Sequence, residues 1–162
     1  MLDINKSYEE LCEDCIKLYG AVSGNYFIEA GKQNLDIKRS NEGLQIHHIK
    51  ECDDTFIFVS DLSKWENAKN YPEEFQNKEN LCYCNLIDHF LLHVKIDLWR
   101  SKKFKGKNYH EGSDLLFYKL KNIFYLLDES DPYFLVIKDD FDYFKAVYRY
   151  WKEEKEKLFG KK

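Results

Sequence analysis

Proline, glycine and long apolar runs are scarce in this chain. Only 2 of its 162 residues are proline and 7 are glycine, while 17% are aromatic and 44% are hydrophobic. This composition excludes a disordered or low-complexity chain. A chain of this length can bury roughly two-thirds of its unfolded surface in one core, so we expect a single folded domain.

An excess of positive charge is also missing. The chain has 25 Lys and Arg residues against 29 Asp and Glu residues, which gives a net charge of −4. A protein that coats nucleic acid through its overall electric field is therefore excluded. Any contact with DNA has to come from a local basic patch.

The sequence lacks signals for membrane insertion or export. No stretch approaches the roughly 18 apolar residues of a membrane span, and residues 1–8 lack the apolar run of a signal peptide. We therefore expect a cytoplasmic protein. Its five cysteines are an odd number, and thiols stay reduced in that compartment, so no disulfide framework is predicted.

Four of the cysteines form two close pairs. Cys12 and Cys15 have C-x-x-C spacing, and Cys82 and Cys84 have C-x-C spacing, so a zinc site with four thiolates is one interpretation. The other, which we favour, is that Cys12 and Cys15 belong to the apolar face of a helix. Leu11, Cys15 and Leu18 would form the stripe and Cys12 would widen it.

The sequence predicts an α+β fold. Ser7 and Glu10 have the spacing of a capping box, and Gly20 follows where a helix would end, so the first helix should span Tyr8–Tyr19. Residue types then favour irregular chain, strands and helices in turn. We expect irregular chain at 21–43 with a helical turn at 26–29, a strand at 44–49, a long excursion at 50–79 and a second strand at 81–84. The next helix should be capped by Asn85, with Asp88 at its third position. A basic loop at 100–107 and helices at 113–127 and 141–159 should follow.

Four of the five histidines fall into a chemically suggestive pattern. His47 and His48 are adjacent, and His89 and His93 are four residues apart on the predicted helix. Residues i and i+4 share one face of a helix, so His89 and His93 can present two imidazole nitrogens to one divalent ion. Neighbouring strand residues point to opposite sides, so one of His47 and His48 could be a third ligand while the other points elsewhere.

These residues, together with Asn80, resemble the motif of the HNH endonucleases. The segments around them, residues 38–48 and 81–89, are similar to a subgroup of HNH proteins from bacteria and their mobile elements. The resemblance implies a ββα-metal (His-Me finger) core surrounded by helices. It also implies that His47, His89 and His93 bind the metal, that His48 is the general base, and that Asn80 restrains the chain around that base.

The resemblance further implies an enzyme that hydrolyses DNA phosphodiester bonds, with duplex DNA as the expected substrate and a divalent metal ion as the cofactor. Mg²⁺, Mn²⁺, Zn²⁺ and Ni²⁺ all stay open, because three imidazoles favour softer ions and cellular abundance favours Mg²⁺. We expect a core with the N-terminal helix at 1–99 and a helical extension at 100–162 packed on the same domain. The alternatives are a catalytically inactive metal-binding interaction module and an RNase toxin. The two C-x-x-C pairs and the basic charge of many HNH proteins are absent.

A cluster of positive charge follows the predicted metal-binding helix. Phosphate contacts from such a cluster would position nucleic acid without reading its sequence, although a solvated charge run explains the same residues. The C-terminal aromatic residues are expected in the core, with base stacking by Tyr118, Tyr125 or Tyr148 as the alternative. We interpret His110 as an ordinary exposed histidine. The candidate nucleic-acid contacts are Lys38, Arg39, Arg100, Lys102, Lys103, Lys105 and Lys107.

Overall fold

The computed structural model describes residues 1–55, 59, 61–105 and 107–160. Helices and two small antiparallel sheets make up this part of the chain, as an α+β composition requires. The helices are α1 (Tyr8–Tyr19), α2 (Trp65–Ala68), α3 (Leu86–Lys103), α4 (Glu111–Leu126), α5 (Pro132–Ile137) and α6 (Phe141–Phe159), and the strands are β1 (Phe27–Glu29), β2 (Lys32–Gln33), β3 (Gln45–His48) and β4 (Leu81–Cys84).

The first helix has the predicted limits and caps. The Ser7 hydroxyl accepts a hydrogen bond from the Glu10 backbone N–H, and the Glu10 carboxylate accepts one from the Ser7 backbone N–H. These two bonds satisfy amide donors that have no partner inside a helix. Gly20 ends the helix with a φ of 87°, a value that glycine adopts without strain.

The predicted apolar stripe of α1 is correct except at its end. Leu11, Cys12 and Cys15 are buried, but Leu18 is 54% exposed. The prediction for Leu18 was wrong because Ile16 and Tyr19, and not Leu18, pack the last turn of α1 against the core.

The sheet that carries the two adjacent histidines is a pair of antiparallel strands. In β3 and β4, Gln45 faces Cys84 and His47 faces Cys82, while Ile46 and His48 belong to the alternate set. One sheet face therefore carries His47 and the other carries His48. Directly after β4, the Asn85 side chain accepts a hydrogen bond from the Asp88 backbone N–H, and this predicted cap starts α3 immediately behind the sheet.

Both faces of this sheet are buried. Cys82 and Cys84 belong to the main core, which also includes side chains of α1, α3, α4 and α6. Leu81 and Tyr83 belong to a smaller cluster on the opposite face. Because the main core includes residues on both sides of position 100, the C-terminal helices pack on the same core as the histidine-bearing segments.

Several sequence predictions need correction. Residues 27–33 form a short hairpin, β1 with β2, instead of a helical turn. Gly31 has a φ of 76° at its tip, which supplies the turn. Residues 100–103 are the last turn of α3 and not a loop, so the expected boundary between 99 and 100 falls inside a helix. Asp131, predicted to mark a turn, also caps α5, because its carboxylate accepts hydrogen bonds from the backbone N–H groups of Tyr133 and Phe134.

Among the described residues, no helix combines the length and the apolar character needed to cross a membrane.

Candidate metal centre

Three of the predicted histidines converge on one point. His47 comes from β3, and His89 and His93 come from consecutive turns of α3. Each of the three offers a ring nitrogen, and these atoms all lie within 4.8 Å of one another. It is the only group of this kind among the histidine, cysteine and acidic residues of the described chain. β3 and α3 thus bring together the three histidines that the HNH resemblance implies as ligands.

Hydrogen bonds determine which nitrogen of His47 is free. The Tyr8 hydroxyl donates its single hydrogen to the Ile49 carbonyl at 2.9 Å. It is also 2.8 Å from Nε2 of His47, so it must accept there, and His47 carries its proton on Nε2. Nδ1 of His47 then holds a lone pair, and this buried atom has no hydrogen-bond partner in the described structure.

An unpaired acceptor in a buried position needs an explanation, because such groups are nearly always satisfied. The His47 residue is only 1% exposed. Its ring lies 5.1 Å from the ring of His89 and 5.2 Å from that of His93, centre to centre. A divalent cation between the three imidazoles would satisfy the His47 lone pair, so the donor set fits a metal ion.

A similar contact orients His89. Nδ1 of His89 is 2.7 Å from Oε1 of Gln45. An amide oxygen only accepts, so Nδ1 carries the proton and Nε2 is left with a lone pair. Metal-binding histidines commonly donate their second N–H in this way, and the partner fixes the tautomer and the ring orientation. Tyr8 and Gln45 are thus in the positions that partners of two ligands would occupy.

His93 completes the group from one helical turn further along. Its Nε2 is 3.1 Å from Nε2 of His89, a separation that suits two ligands of one ion. The other side of its ring lies against Gly112 of α4, where a Cβ atom would come within 2.4 Å of Nδ1. Gly112 therefore leaves the space that the His93 ring occupies.

Burial keeps the three rings neutral. Desolvation lowers the pKa of His47 and of His89 well below the usual value of 6.5, and it lowers the pKa of His93 to about 4. The rings also disfavour each other's charged form, which lowers the pKa of His47 further. Neutral imidazole is the form that binds metals, so the site needs no deprotonation near neutral pH.

His48 lies on the opposite face of the strand and is 2% exposed. Its Nε2 is 3.1 Å from Oε1 of Gln76. The amide nitrogen of Gln76 donates to the Leu62 carbonyl, which fixes the amide so that its oxygen faces His48. His48 is then protonated on Nε2 and basic at Nδ1. Desolvation lowers its pKa to about 4, so at neutral pH it is a free base.

Asn80 is not in direct contact with the histidines in any described hydrogen bond. Its side-chain amide donates to the Glu74 carbonyl at 2.7 Å. Glu74 and Gln76 belong to one 3-10 turn, Glu73–Gln76, and Gln76 is the residue that orients His48. Asn80 therefore braces the segment that positions His48.

A cavity of about 1040 Å³ connects these residues. It is large enough for a nucleotide-sized ligand. His47, His48, His89 and His93 line it, and three carboxylates (Glu51, Asp61 and Asp97) lie on its walls. Four cations also line it: Lys38, Arg39, Arg100 and Lys119.

Lys119 of α4 lines the cavity and, like Lys38, forms no ion pair with a described carboxylate. Its ammonium lies 4.5 Å from the centre of the Tyr133 ring, and no described carboxylate is within ion-pair distance of it. Partial burial lowers its pKa. It lines the same cavity as the three histidines, and its charge also lowers the pKa of His89.

The predicted nucleic-acid contacts are divided between this cavity and the outer surface. Arg39 pairs with Glu42 and donates to the Tyr19 carbonyl. Arg100 donates to the backbone carbonyls of Glu51 and Val59, so it braces the cavity wall. Lys38 is exposed at the cavity.

The remaining lysines of the basic segment lie outside the cavity. Lys103 forms an ion pair with Asp54 at 2.6 Å, and Lys102 lies 3.9 Å from Glu154. Lys105 and Lys107 are exposed. His110, at the start of α4, contacts Asp114 at 2.6 Å and is not part of the metal-binding group.

Sequence reasoning missed several residues of this site. Gln45 could have been found, because it is two residues before His47 on one strand and so shares its face. Tyr8, Gln76 and Lys119 come from segments distant along the chain, and no local spacing pointed to them. Glu51 follows the histidine pair closely, but nothing in its spacing separates it from other surface glutamates.

Comparisons of the chain with models of protein families, with curated proteins and with solved structures returned no match. The likeness to the HNH family therefore depends on the motif residues and their arrangement.

Proposed function

We propose that this protein is a metal-dependent endonuclease of the HNH type that hydrolyses phosphodiester bonds in DNA. β3, β4 and α3 would be its ββα-metal core. One observation carries the proposal: the buried Nδ1 of His47 has no hydrogen-bond partner in the described structure, and the His47 ring lies 5.1 and 5.2 Å from the rings of two histidines one helical turn apart. The DNA substrate and the cytoplasmic setting come from the sequence and belong to the same proposal.

The proposed chemistry divides between two faces of β3. His47, His89 and His93 would hold the divalent ion. The bound ion would supply positive charge to offset the negative charge of the scissile phosphate and of the departing 3′ oxygen. His48 lines the same cavity, and its Nδ1 would take a proton from the attacking water.

The residues around the base would keep it ready for that step. The amide oxygen of Gln76 accepts a hydrogen bond from Nε2–H of His48, so the basic nitrogen is Nδ1 and the ring cannot turn without losing this bond. Asn80 braces the turn that carries Gln76. Lys119 has no carboxylate partner among the described residues, and from its position in the lining of the same cavity it would contact a substrate phosphate.

The test is cleavage of a supercoiled plasmid with Mg²⁺, Mn²⁺, Zn²⁺ and Ni²⁺ in turn. We expect cleavage by the parent protein with at least one ion, and a loss of about 10² to 10⁴ in rate for His48→Ala, the usual size of general-base catalysis. Metal affinity, measured by calorimetry, should persist in this variant, and circular dichroism checks its fold.

Two results would contradict the proposal. A fully active His48→Ala protein would exclude His48 as the base. A parent protein that cleaves no DNA with any ion would exclude the nuclease function. Cleavage of RNA alone in a parallel reaction would favour the ribonuclease alternative.

One surface feature favours the interaction-module alternative. α4 exposes Leu115, Tyr118, Tyr125 and Leu126 to solvent, and exposed apolar patches commonly mark interaction sites. Tyr148, by contrast, stacks on Phe117 inside the fold. A protein that binds its ion but neither binds nor cleaves nucleic acid would support this module.

A further inference from the structure

Three carboxylates line the cavity beside the histidines, and two of them are already committed. Asp97 accepts hydrogen bonds from the backbone N–H and the hydroxyl of Ser113 at 3.0 and 2.7 Å. Asp61 accepts from the backbone N–H and the hydroxyl of Ser63 and lies 3.3 Å from the Lys64 ammonium. Neither carboxylate is directed at an imidazole.

Glu51 differs from both. Its Oε2 lies 3.6 Å from Nε2 of His93, and its side chain is 13% exposed. A backbone N–H of Leu62 reaches the carboxylate, but no Lys or Arg side chain of the described chain forms an ion pair with it. Arg100 donates to the carbonyl oxygen of Glu51 and not to its carboxylate.

The main chain of Glu51 is held by Arg100, and its carboxylate is connected to that main chain through rotatable side-chain bonds. Arg100 bonds to both Glu51 and Val59 through one nitrogen, Nη2. Glu51 ends a short 3-10 turn that starts directly after β3. The carboxylate is therefore attached to the turn that directly follows the strand of His47, four residues further along the chain.

We propose that Glu51 is a fourth ligand of the ion that His47, His89 and His93 would hold, an inference that rests on the proposed metal site. Two ligand atoms each about 2.1 Å from one ion lie about 3.0 Å apart at a right angle and about 3.6 Å apart at 120°. The separations of His93 Nε2 from His89 Nε2 and from Glu51 Oε2 are 3.1 and 3.6 Å. Both values fall within this range.

One adjustment is needed. Glu51 is not among the three residues whose ligand atoms all lie within 4.8 Å of one another, so its carboxylate has to move closer to His47 or His89 when an ion is bound. Glutamate has three side-chain torsions, and the anchored backbone needs no change.

A fourth ligand of this kind has consequences for charge and for the choice of ion. Three neutral imidazoles do not offset a dication in a buried site, and one carboxylate reduces the charge that has to be buried. Three imidazoles with a carboxylate suit first-row transition metals, whereas Mg²⁺ prefers oxygen ligands and retained water. The site should therefore select ions such as Mn²⁺, Co²⁺ or Zn²⁺ over Mg²⁺.

The test is titration of the full chain with Co²⁺ and Zn²⁺, followed by calorimetry and by the visible absorption of bound Co²⁺. Glu51→Gln should lower the affinity by at least about tenfold, because even the loss of a residue behind a ligand costs about 10- to 100-fold. It should also change the Co²⁺ absorption bands. Glu51→Asp, which keeps the charge but shortens the side chain, should lie between Glu51→Gln and the parent protein.

Asp61→Asn is the matched control, since it removes one negative charge from the same cavity without touching a histidine. It should leave the Co²⁺ spectrum unchanged. Parent-like affinity and spectrum in a folded Glu51→Gln variant would overturn the assignment of Glu51 while leaving the three-histidine site intact. A parent protein that binds neither Co²⁺ nor Zn²⁺ would overturn the site itself, and the role of Glu51 with it.

Discussion

The two ends of α3 were both singled out from the sequence, and the structure treats them differently. At the N-terminal end, His89 and His93 meet His47 inside a cavity, and the Nδ1 of His47 has no described partner. At the C-terminal end, Lys102 and Lys103 lie near Glu154 and Asp54 on the outer surface. The first end thus adjoins a buried nitrogen that lacks a hydrogen-bond partner, whereas the second carries lysines that lie near carboxylates.

The difference reflects what kind of information local spacing contains. A separation of four residues on a helix fixes where two side chains lie relative to each other, whatever the rest of the fold does. A run of lysines fixes only charge. Whether these charges meet a phosphate or a carboxylate depends on Asp54 and Glu154, which lie in distant parts of the sequence.

The largest effect should come from breaking the histidine end. His89→Ala or His93→Ala should each weaken Zn²⁺ or Mn²⁺ binding by about 100-fold or more, and the double variant should lose little beyond either one, because both residues serve one site and their effects are not additive. Calorimetric titration measures this. His110→Ala, in a histidine outside the group, is the control. Small and additive losses would mean that the two histidines act separately.

The same reasoning explains how much of the fold was accessible from sequence. The capping box of α1, the cap at Asn85 and the limits of β4 depend on neighbouring residues, and all were predicted correctly. The hairpin at 27–33 was missed, since turn-forming residues fit irregular chain and a hairpin equally well. The end of α3 was misjudged because repeated lysines do not break a helix.

The candidate site shows the same division. The histidines were found through spacing on two elements, and Gln45 could have been found by alternation along β3. Tyr8, which fixes the tautomer of His47, comes from α1, 39 residues earlier in the chain. Such a contact forms only when α1, β4 and α3 pack together in the core, so no local sequence pattern predicts it.

The second prediction concerns pH, where only the histidine end should matter. Burial places the folded-state pKa of His47, His48, His89 and His93 below 6.5. Below pH 6.5 the unfolded chain therefore binds protons that the native state does not, and the free energy of unfolding falls as the pH drops towards 4. Each such proton contributes about 1.4 kcal/mol per pH unit.

Glu51 acts in the opposite direction. Burial raises its pKa to about 8, so the native state keeps a proton that the unfolded state has lost. Its contribution to stability is complete below pH 4.5 and disappears as the pH rises through 8. Metal-free protein should therefore be most stable near pH 6.5.

Urea unfolding at a series of pH values, in the presence of a chelator, measures both limbs. Glu51→Gln should flatten the dependence between pH 6.5 and 8 and leave the acid limb in place. Constant stability from pH 7 down to pH 5 would show that the four histidines are not buried as neutral rings.

The smallest expected effect compares the basic end of α3 with Lys119, using the salt dependence of binding to duplex DNA. Each lost phosphate contact should reduce the slope of log affinity against log salt by about 0.9. Lys119 lines the cavity, whereas Lys102 and Lys103 do not. Lys119→Gln should therefore reduce the slope by about 0.9. The neighbouring change Lys121→Gln, on the exposed side of α4, should leave the slope unchanged.

The double change of Lys102 and Lys103 to Gln should reduce the slope by less than Lys119→Gln alone, although it removes twice the charge. A larger effect of that double change would show that DNA runs along the outer end of α3, and that the carboxylates beside its lysines yield to phosphate.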